Sequence, residues 1–217
     1  MRPPDNWQSA RVTLAIGAVT AAAWLLATVS GQEAFAVAIG GFVPERLHGT
    51  TSEALFAALV APLTATLVHG GIFHLGFNLL IFLFCGRAVE TILGGRGIFI
   101  LYVVGAYAAA AAEYAAGPHA ASAMVGASGA ISAVIGAFAM MFGRNRVNVA
   151  NPTLARWLHA LWLAAAWIIL QLLVGFTFQI PVQGGPGLHI AIAAHIGGFL
   201  VGLMLAKPLL LLKWRGA

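Results

Sequence analysis

Charged side chains are scarce in this sequence. Only 8% of the 217 residues are Asp, Glu, Lys or Arg, while 61% are hydrophobic. A soluble domain is about 25% charged and roughly 45–50% apolar, so the composition excludes an ordinary soluble domain and a disordered chain. An integral membrane protein is expected. At about 20 residues per span, a chain of this length holds roughly five to seven spans.

Cysteine is almost absent as well. Cys85 is the only one, so no internal disulfide framework exists. The net charge is +5, but no basic run is interleaved with aromatic residues, and nucleic acid is therefore not an expected partner. The basic residues are better explained as determinants of membrane orientation.

Six apolar segments predict six transmembrane helices in one domain that covers residues 1–217, with a core over about 12–207. The segments run over residues 12–30, 73–93, 98–114, 125–142, 157–178 and 188–212. Lys207 and Pro208 are expected to end the last span, because proline disfavours continuation of a helix. The fold class is therefore an all-α, six-span membrane bundle.

The positive charges predict an N-in/C-in topology. Inner segments would then hold ten of the eleven basic residues, as the positive-inside rule requires: Arg2, Arg11, Arg87, Arg96, Arg144, Arg146, Arg156, Lys207, Lys213 and Arg215. Only Arg46 falls outside, in a long outer loop over about residues 32–71. This loop mixes apolar and charged residues, which leaves a half-inserted amphipathic segment and a surface loop as alternatives.

Polar residues concentrate near the outer ends of three spans, where each carries a cost in hydrocarbon. The first group is His69, His74 and Asn78. His74 and Asn78 are four residues apart and share one face of a helix. A metal site would need a further ligand of carboxylate or imidazole type, and simple hydrogen bonding between neighbouring helices is the other alternative.

The second group is Gly126-Ala-Ser128-Gly129, where a loop becomes the fourth span. The glycines allow a close backbone approach, and the start of a helix offers unpaired N–H groups that stabilise an oxyanion. By itself this pattern is also typical of helix packing in membranes.

The third group is His195, Gly198 and Gly202 in the sixth span, which share one helix face. If that face packs on the fourth span, His195 comes within reach of Ser128, and a serine beside a histidine is an activated nucleophile. No Asp or Glu occurs at matching depth, so a Ser–His dyad rather than a triad is expected.

Together these motifs resemble the rhomboid family of intramembrane serine proteases, in family order and over nearly the whole chain. Ala88-Val89-Glu90 also resembles a segment of that family. The resemblance implies that Ser128 is the nucleophile and His195 its general base. His74, Asn78 and the Ser128 backbone N–H would form the oxyanion hole. Structural or gating roles would fall on His69, Gly126, Gly129 and Phe77.

The resemblance further implies hydrolysis of transmembrane helices of other proteins near their outer ends, in a lipid bilayer and without metal or cofactor. High Ala and Gly content is consistent with a bacterial inner membrane. The oligomeric state stays open.

Two departures from the family pattern leave an alternative. The long loop lacks the Trp-Arg pair that the family often has, so Glu45, Arg46 or His48 would hold it. Ser132 stands where an aromatic residue often stacks on the catalytic histidine; it could bond His195 or simply pack. The alternative function is a catalytically inactive rhomboid-like protein that binds transmembrane helices. A transporter or channel is disfavoured, because it would normally place charges near mid-membrane, and the two charged residues of the second span, Arg87 and Glu90, lie toward its inner end.

Overall fold

The computed structural model describes residues 10–49, 51–143, 149, 151–177 and 191–215, and within these ranges its secondary-structure elements are helices, apart from one isolated β-bridge between Phe42 and Met124. The all-α prediction is thereby confirmed. Two short 3-10 helices, Pro44–His48 and Ala65–Leu67, accompany the α-helices. The α-helices in chain order are α1 (Arg11–Val29), α2 (Glu33–Gly40), α3 (Ser52–Thr64), α4 (Ile72–Ala116), α5 (Ser128–Phe142), α6 (Pro152–Thr177) and α7 (Ile192–Arg215).

Four of these helices, α1, α4, α6 and α7, are long and apolar enough to cross a membrane. The helix α4 has 45 residues, which at 1.5 Å per residue is about twice the thickness of a bilayer core. Its backbone breaks at Gly94, whose φ of +75° favours glycine, so two helical segments meet there. The break falls between the predicted second and third spans. The six-span count and the N-in/C-in orientation stay predictions.

The helix of the last predicted span does not end at Lys207 and Pro208, and the end of the span itself stays a prediction. Helix α7 continues through Pro208 to Arg215. Leu209 is buried in the core, and the Lys213 ammonium donates to the carbonyl of Ile92 at 2.7 Å. These tertiary contacts outweigh the hydrogen bond that proline cannot make. The first residues predicted for this span, 188–190, lie outside the described ranges.

The centre of the bundle is formed by α4, α5 and α7, which pack through small residues. A side chain at Gly202 would collide with the carbonyl oxygen of Ala133, and one at Gly136 would collide with that of Phe199. The backbones of α5 and α7 are therefore in direct contact, as small residues permit in membrane helices.

The segment between α1 and α4 is largely helical and docks on the loop that precedes α5. Phe42 and Met124 exchange backbone hydrogen bonds at 3.0 and 2.8 Å. Near them, the Glu45 N–H donates to the Ala120 carbonyl at 3.1 Å. The His48 ring lies 3.1 Å from the Pro118 carbonyl oxygen. These contacts attach the segment to the loop before α5 without a Trp-Arg pair.

The opposite end of the bundle is organised by Glu90, which is 2% exposed. Its carboxylate accepts hydrogen bonds from the Val12 N–H at 2.9 Å, the Thr13 N–H at 2.7 Å and the Thr13 hydroxyl at 2.6 Å. Glu90 thus caps the N-terminus of α1, where unpaired N–H groups and the helix dipole favour a negative charge.

Glu90→Ala is expected to lower the free energy of unfolding by about 3 kcal/mol, because hydrogen bonds to a carboxylate each contribute about 1.5–3 kcal/mol and the stranded donors are buried. Circular dichroism during unfolding in mixed detergent micelles measures this. Glu33→Ala, at an exposed position, is the control and should change stability by less than about 0.5 kcal/mol. Equal stability of the two variants would contradict the capping role.

Candidate active site

One end of the bundle gathers the starts of three helices. Helices α4, α5 and α7 all begin there, and each carries polar residues in or just before its first turns. The polar groups predicted from the sequence therefore converge at this end. Glu90 and Lys213 lie at the other end, with the break at Gly94.

Ser128 and His195 are hydrogen-bonded to each other. The Ser128 Oγ lies 2.8 Å from the His195 Nε2 atom, although 67 residues separate them in the chain. If the ring proton is on Nδ1, the serine hydroxyl donates to Nε2. Such an arrangement can transfer the hydroxyl proton to the imidazole during nucleophilic attack.

The backbone contact of α5 with α7 sets this geometry. A side chain at Gly198 would overlap the carbonyl oxygen of Gly129, one residue after Ser128. The Ser132 hydroxyl donates to the Ser128 carbonyl at 2.8 Å, and Ser132 is 2% exposed. Of the two alternatives for Ser132, the structure shows a small packing residue at the helix crossing.

His74 and Asn78 lie beside Gly126. An ideal Cβ on Gly126 would lie 2.7 Å from the His74 Nε2 atom and 3.7 Å from the Asn78 Nδ2 atom. The φ of Gly126 is +109°, a conformation that favours glycine. The Gly70 N–H donates to His74 Nδ1 at 3.4 Å, which leaves the ring proton on Nε2, the nitrogen that faces Gly126.

Asn78 carries an unused donor. It is 7% exposed, and its Nδ2 atom has no hydrogen-bond partner among the described residues. Buried polar groups are nearly always paired, so an orphaned amide beside the Ser128 loop calls for an explanation. The Ser128 N–H, in the first turn of α5, also has no intrahelical acceptor.

His69 precedes α4 and connects to the same loop. Its Nε2 atom accepts a hydrogen bond from the Ala127 N–H at 3.4 Å. Burial, and to a smaller extent the neighbouring His74 ring, lowers the pKa of His69 to about 4. The His69 ring is therefore neutral at pH 7, and its Nε2 atom has the lone pair that a hydrogen-bond acceptor requires.

Phe77 does not join this group. Its side chain is 64% exposed, and it belongs to an exposed apolar stripe along the first half of α4, whose last residue, Phe84, contacts Phe138 of α5. The stripe consists of Phe73, Phe77, Leu80 and Phe84. The stripe faces outward from the bundle.

Trp167 on α6 is a contact that the sequence pattern did not indicate. Its indole N–H donates to the His195 carbonyl at 3.3 Å. Its ring also stacks on Phe199, with centroids 4.8 Å apart. No periodicity marks this residue, because its partners lie on another helix. Within the described ranges, no three His, Cys, Asp or Glu side chains converge as a metal site.

These features define a multi-pass helical membrane protein with a buried serine–histidine pair at one end of the bundle. The rhomboid family model, described as a rhomboid domain, matches residues 52–212. This range covers most of the chain, and the protein belongs to the rhomboid family.

A characterised relative supports the assignment. The chain is 33% identical over 142 residues to the rhomboid protease GlpG of Haemophilus influenzae. The match covers 64% of this chain and 64% of that protein, so it spans slightly less than two thirds of the relative's length.

Gly126→Ala should displace the His74 ring and destabilise the fold by about 1–3 kcal/mol, because a side chain is strained at positive φ. Thermal unfolding in detergent measures the stability, and imidazole chemical shifts report the ring. Gly117→Ala is the matched control, since its Cβ would meet Ala120 at an ordinary 3.5 Å. Unchanged His74 signals in Gly126→Ala would show that the ring does not pack against this glycine.

Proposed function

We propose that this protein is an intramembrane serine endopeptidase that cleaves transmembrane helices of other membrane proteins near their outer ends. The observation that carries the proposal is the 2.8 Å contact between Ser128 Oγ and His195 Nε2. Membership of the rhomboid family and the similarity to a rhomboid protease support the same reaction.

In the proposed reaction, His195 Nε2 takes the Ser128 hydroxyl proton as Oγ bonds to the scissile carbonyl carbon. When the tetrahedral intermediate collapses, the C–N bond breaks and His195 gives that proton to the leaving amine. A water molecule then attacks the acyl-enzyme with His195 again as base, which releases the second product and restores Ser128.

The oxyanion would be stabilised by three donors around the Ser128 loop. They are the Asn78 Nδ2 amide, the His74 Nε2–H and the Ser128 backbone N–H. The unpaired state of Asn78 Nδ2 in the free protein favours this role, because a preorganised donor requires no reorganisation when charge develops.

The substrate would approach from the bilayer between the first half of α4 and α6. The stripe with Phe77 is exposed on the first half of α4, and α6 packs mainly on α7, which leaves α4 and α6 without extensive contact. A peptide carbonyl is accessible only in an extended segment, so the favoured substrates would carry Gly, Ala or Pro near the outer end of their helix. His69, Gly126 and Gly129 would shape the site without reacting.

The proposed setting is the inner membrane of a bacterium, with six spans and both termini inside. The relative from Haemophilus influenzae supports a bacterial membrane. The clustering of Arg11, Arg96 and Lys213 at the end opposite the dyad supports the orientation.

Replacing either member of the dyad should abolish cleavage. Purified protein, Ser128→Ala and His195→Ala are compared on a transmembrane substrate with a destabilised outer end, and cleavage is followed by mass spectrometry. We expect the variants to lose nearly all turnover, because neither group can complete the proton transfer alone.

Ser132→Ala is the matched control, since this neighbouring hydroxyl bonds only the Ser128 carbonyl among the contacts described. It should retain substantial activity. If all four proteins bind the substrate but none cleaves it, the inactive, helix-binding alternative holds instead.

Asn78→Ala should lower kcat by about 10²–10³-fold with little effect on KM, as the loss of one oxyanion donor does. Steady-state kinetics on the same substrate measure both constants. Asn78→Asp places an acceptor at this position and should not restore the rate. A purely structural Asn78 would instead show equal losses of stability and activity.

A further inference from the structure

An apolar groove lies between α6 and α7 and extends along α7 from Leu200 to Pro208, away from the dyad. Its volume is about 470 Å³, and its lining includes Met140, Trp157, Leu161, Met204 and Lys207. His195 and Lys207 are twelve residues apart on one helix, which at 1.5 Å per residue puts the lysine about 18 Å from the dyad. The lining nearest the dyad is Leu200, five residues and about 7.5 Å from His195 along α7, and neither Ser128 nor His195 lines the groove.

The groove is elongated along α6. Its lining on α6 runs from Thr153 to Ala164, about 17 Å along the axis.

Lys207 is the only charged residue among the described residues that line the groove. The structure shows no ion pair or hydrogen bond from its ammonium to another described residue. Trp157, Leu161 and Met204 are each more than half exposed, so the groove opens sideways to the bilayer. A cation at the edge of an apolar, lipid-facing groove favours an anionic partner whose remainder is hydrocarbon.

We infer that this groove binds an anionic phospholipid. One acyl chain lies between α6 and α7 against Leu161 and Met204, and the phosphate pairs with the Lys207 ammonium. The two methionines in the lining adapt to the chain because their side chains are flexible. The lipid site does not depend on whether the protein cleaves peptide bonds.

Native mass spectrometry of the full chain in detergent micelles tests the site. Phosphatidylglycerol and phosphatidylcholine with the same acyl chains are titrated separately. We expect about fivefold tighter binding of phosphatidylglycerol, the effect of one basic residue near a membrane surface. Lys207→Gln should remove this preference, and Lys207→Arg should keep it.

Arg96→Gln is the matched control: it removes one charge at an exposed position outside the groove and should keep the preference. Ala164→Trp fills the groove and should reduce binding of both lipids, which tests the site even if Lys207→Gln folds poorly. The site is refuted if the protein binds both lipids equally, if Arg96→Gln loses the preference, or if Ala164→Trp binds like the unmodified chain.

Discussion

The close approach of α5 and α7 is the constraint on which the rest of the structure depends. Side chains at Gly198 and Gly202 would collide with backbone carbonyls of α5, so the two helices touch only because these positions are glycine. Helix packing in a bilayer lacks the hydrophobic driving force of water and relies on such contacts. The contact also brings the Ser128 Oγ atom to 2.8 Å from the His195 Nε2 atom, so the interface that packs the two helices also forms the candidate catalytic pair.

Because the chain has few charged residues, the polar groups inside the bundle are mostly uncharged. The groups around Ser128 are a hydroxyl, imidazoles and an amide, which are less costly at membrane depth than permanent ions. Glu90 is the buried exception, and its carboxylate is matched by the N-terminus of α1 with three hydrogen bonds. The Glu90 cap lies at the end of the bundle opposite the dyad, where it holds α1 against α4 and takes no part in the proposed reaction.

Much of the helical architecture and the convergence of the polar groups could be predicted from the sequence, because apolar runs and intramembrane polar residues are strong local signals. The end of α7 could not be predicted in this way, because a proline such as Pro208 normally stops a helix. The helix continues past it because Leu209 and Lys213 contact the rest of the bundle. Trp167 was missed for the same reason, since its bond to the His195 carbonyl depends on how α6 meets α7. The roles of the site residues were inferred from their resemblance to a family motif, because the position of a residue in a helix does not by itself define its chemical role.

The proposed function requires Ser128 to be a nucleophile activated by His195. Peptide mapping of the protein after reaction with a fluorophosphonate tests it most directly, because the reagent forms a covalent adduct with an activated serine. We expect an adduct on Ser128, none on the neighbouring Ser132, and none on either serine in His195→Ala. An adduct on Ser132, or the same labelling of Ser128 with and without His195, would contradict it.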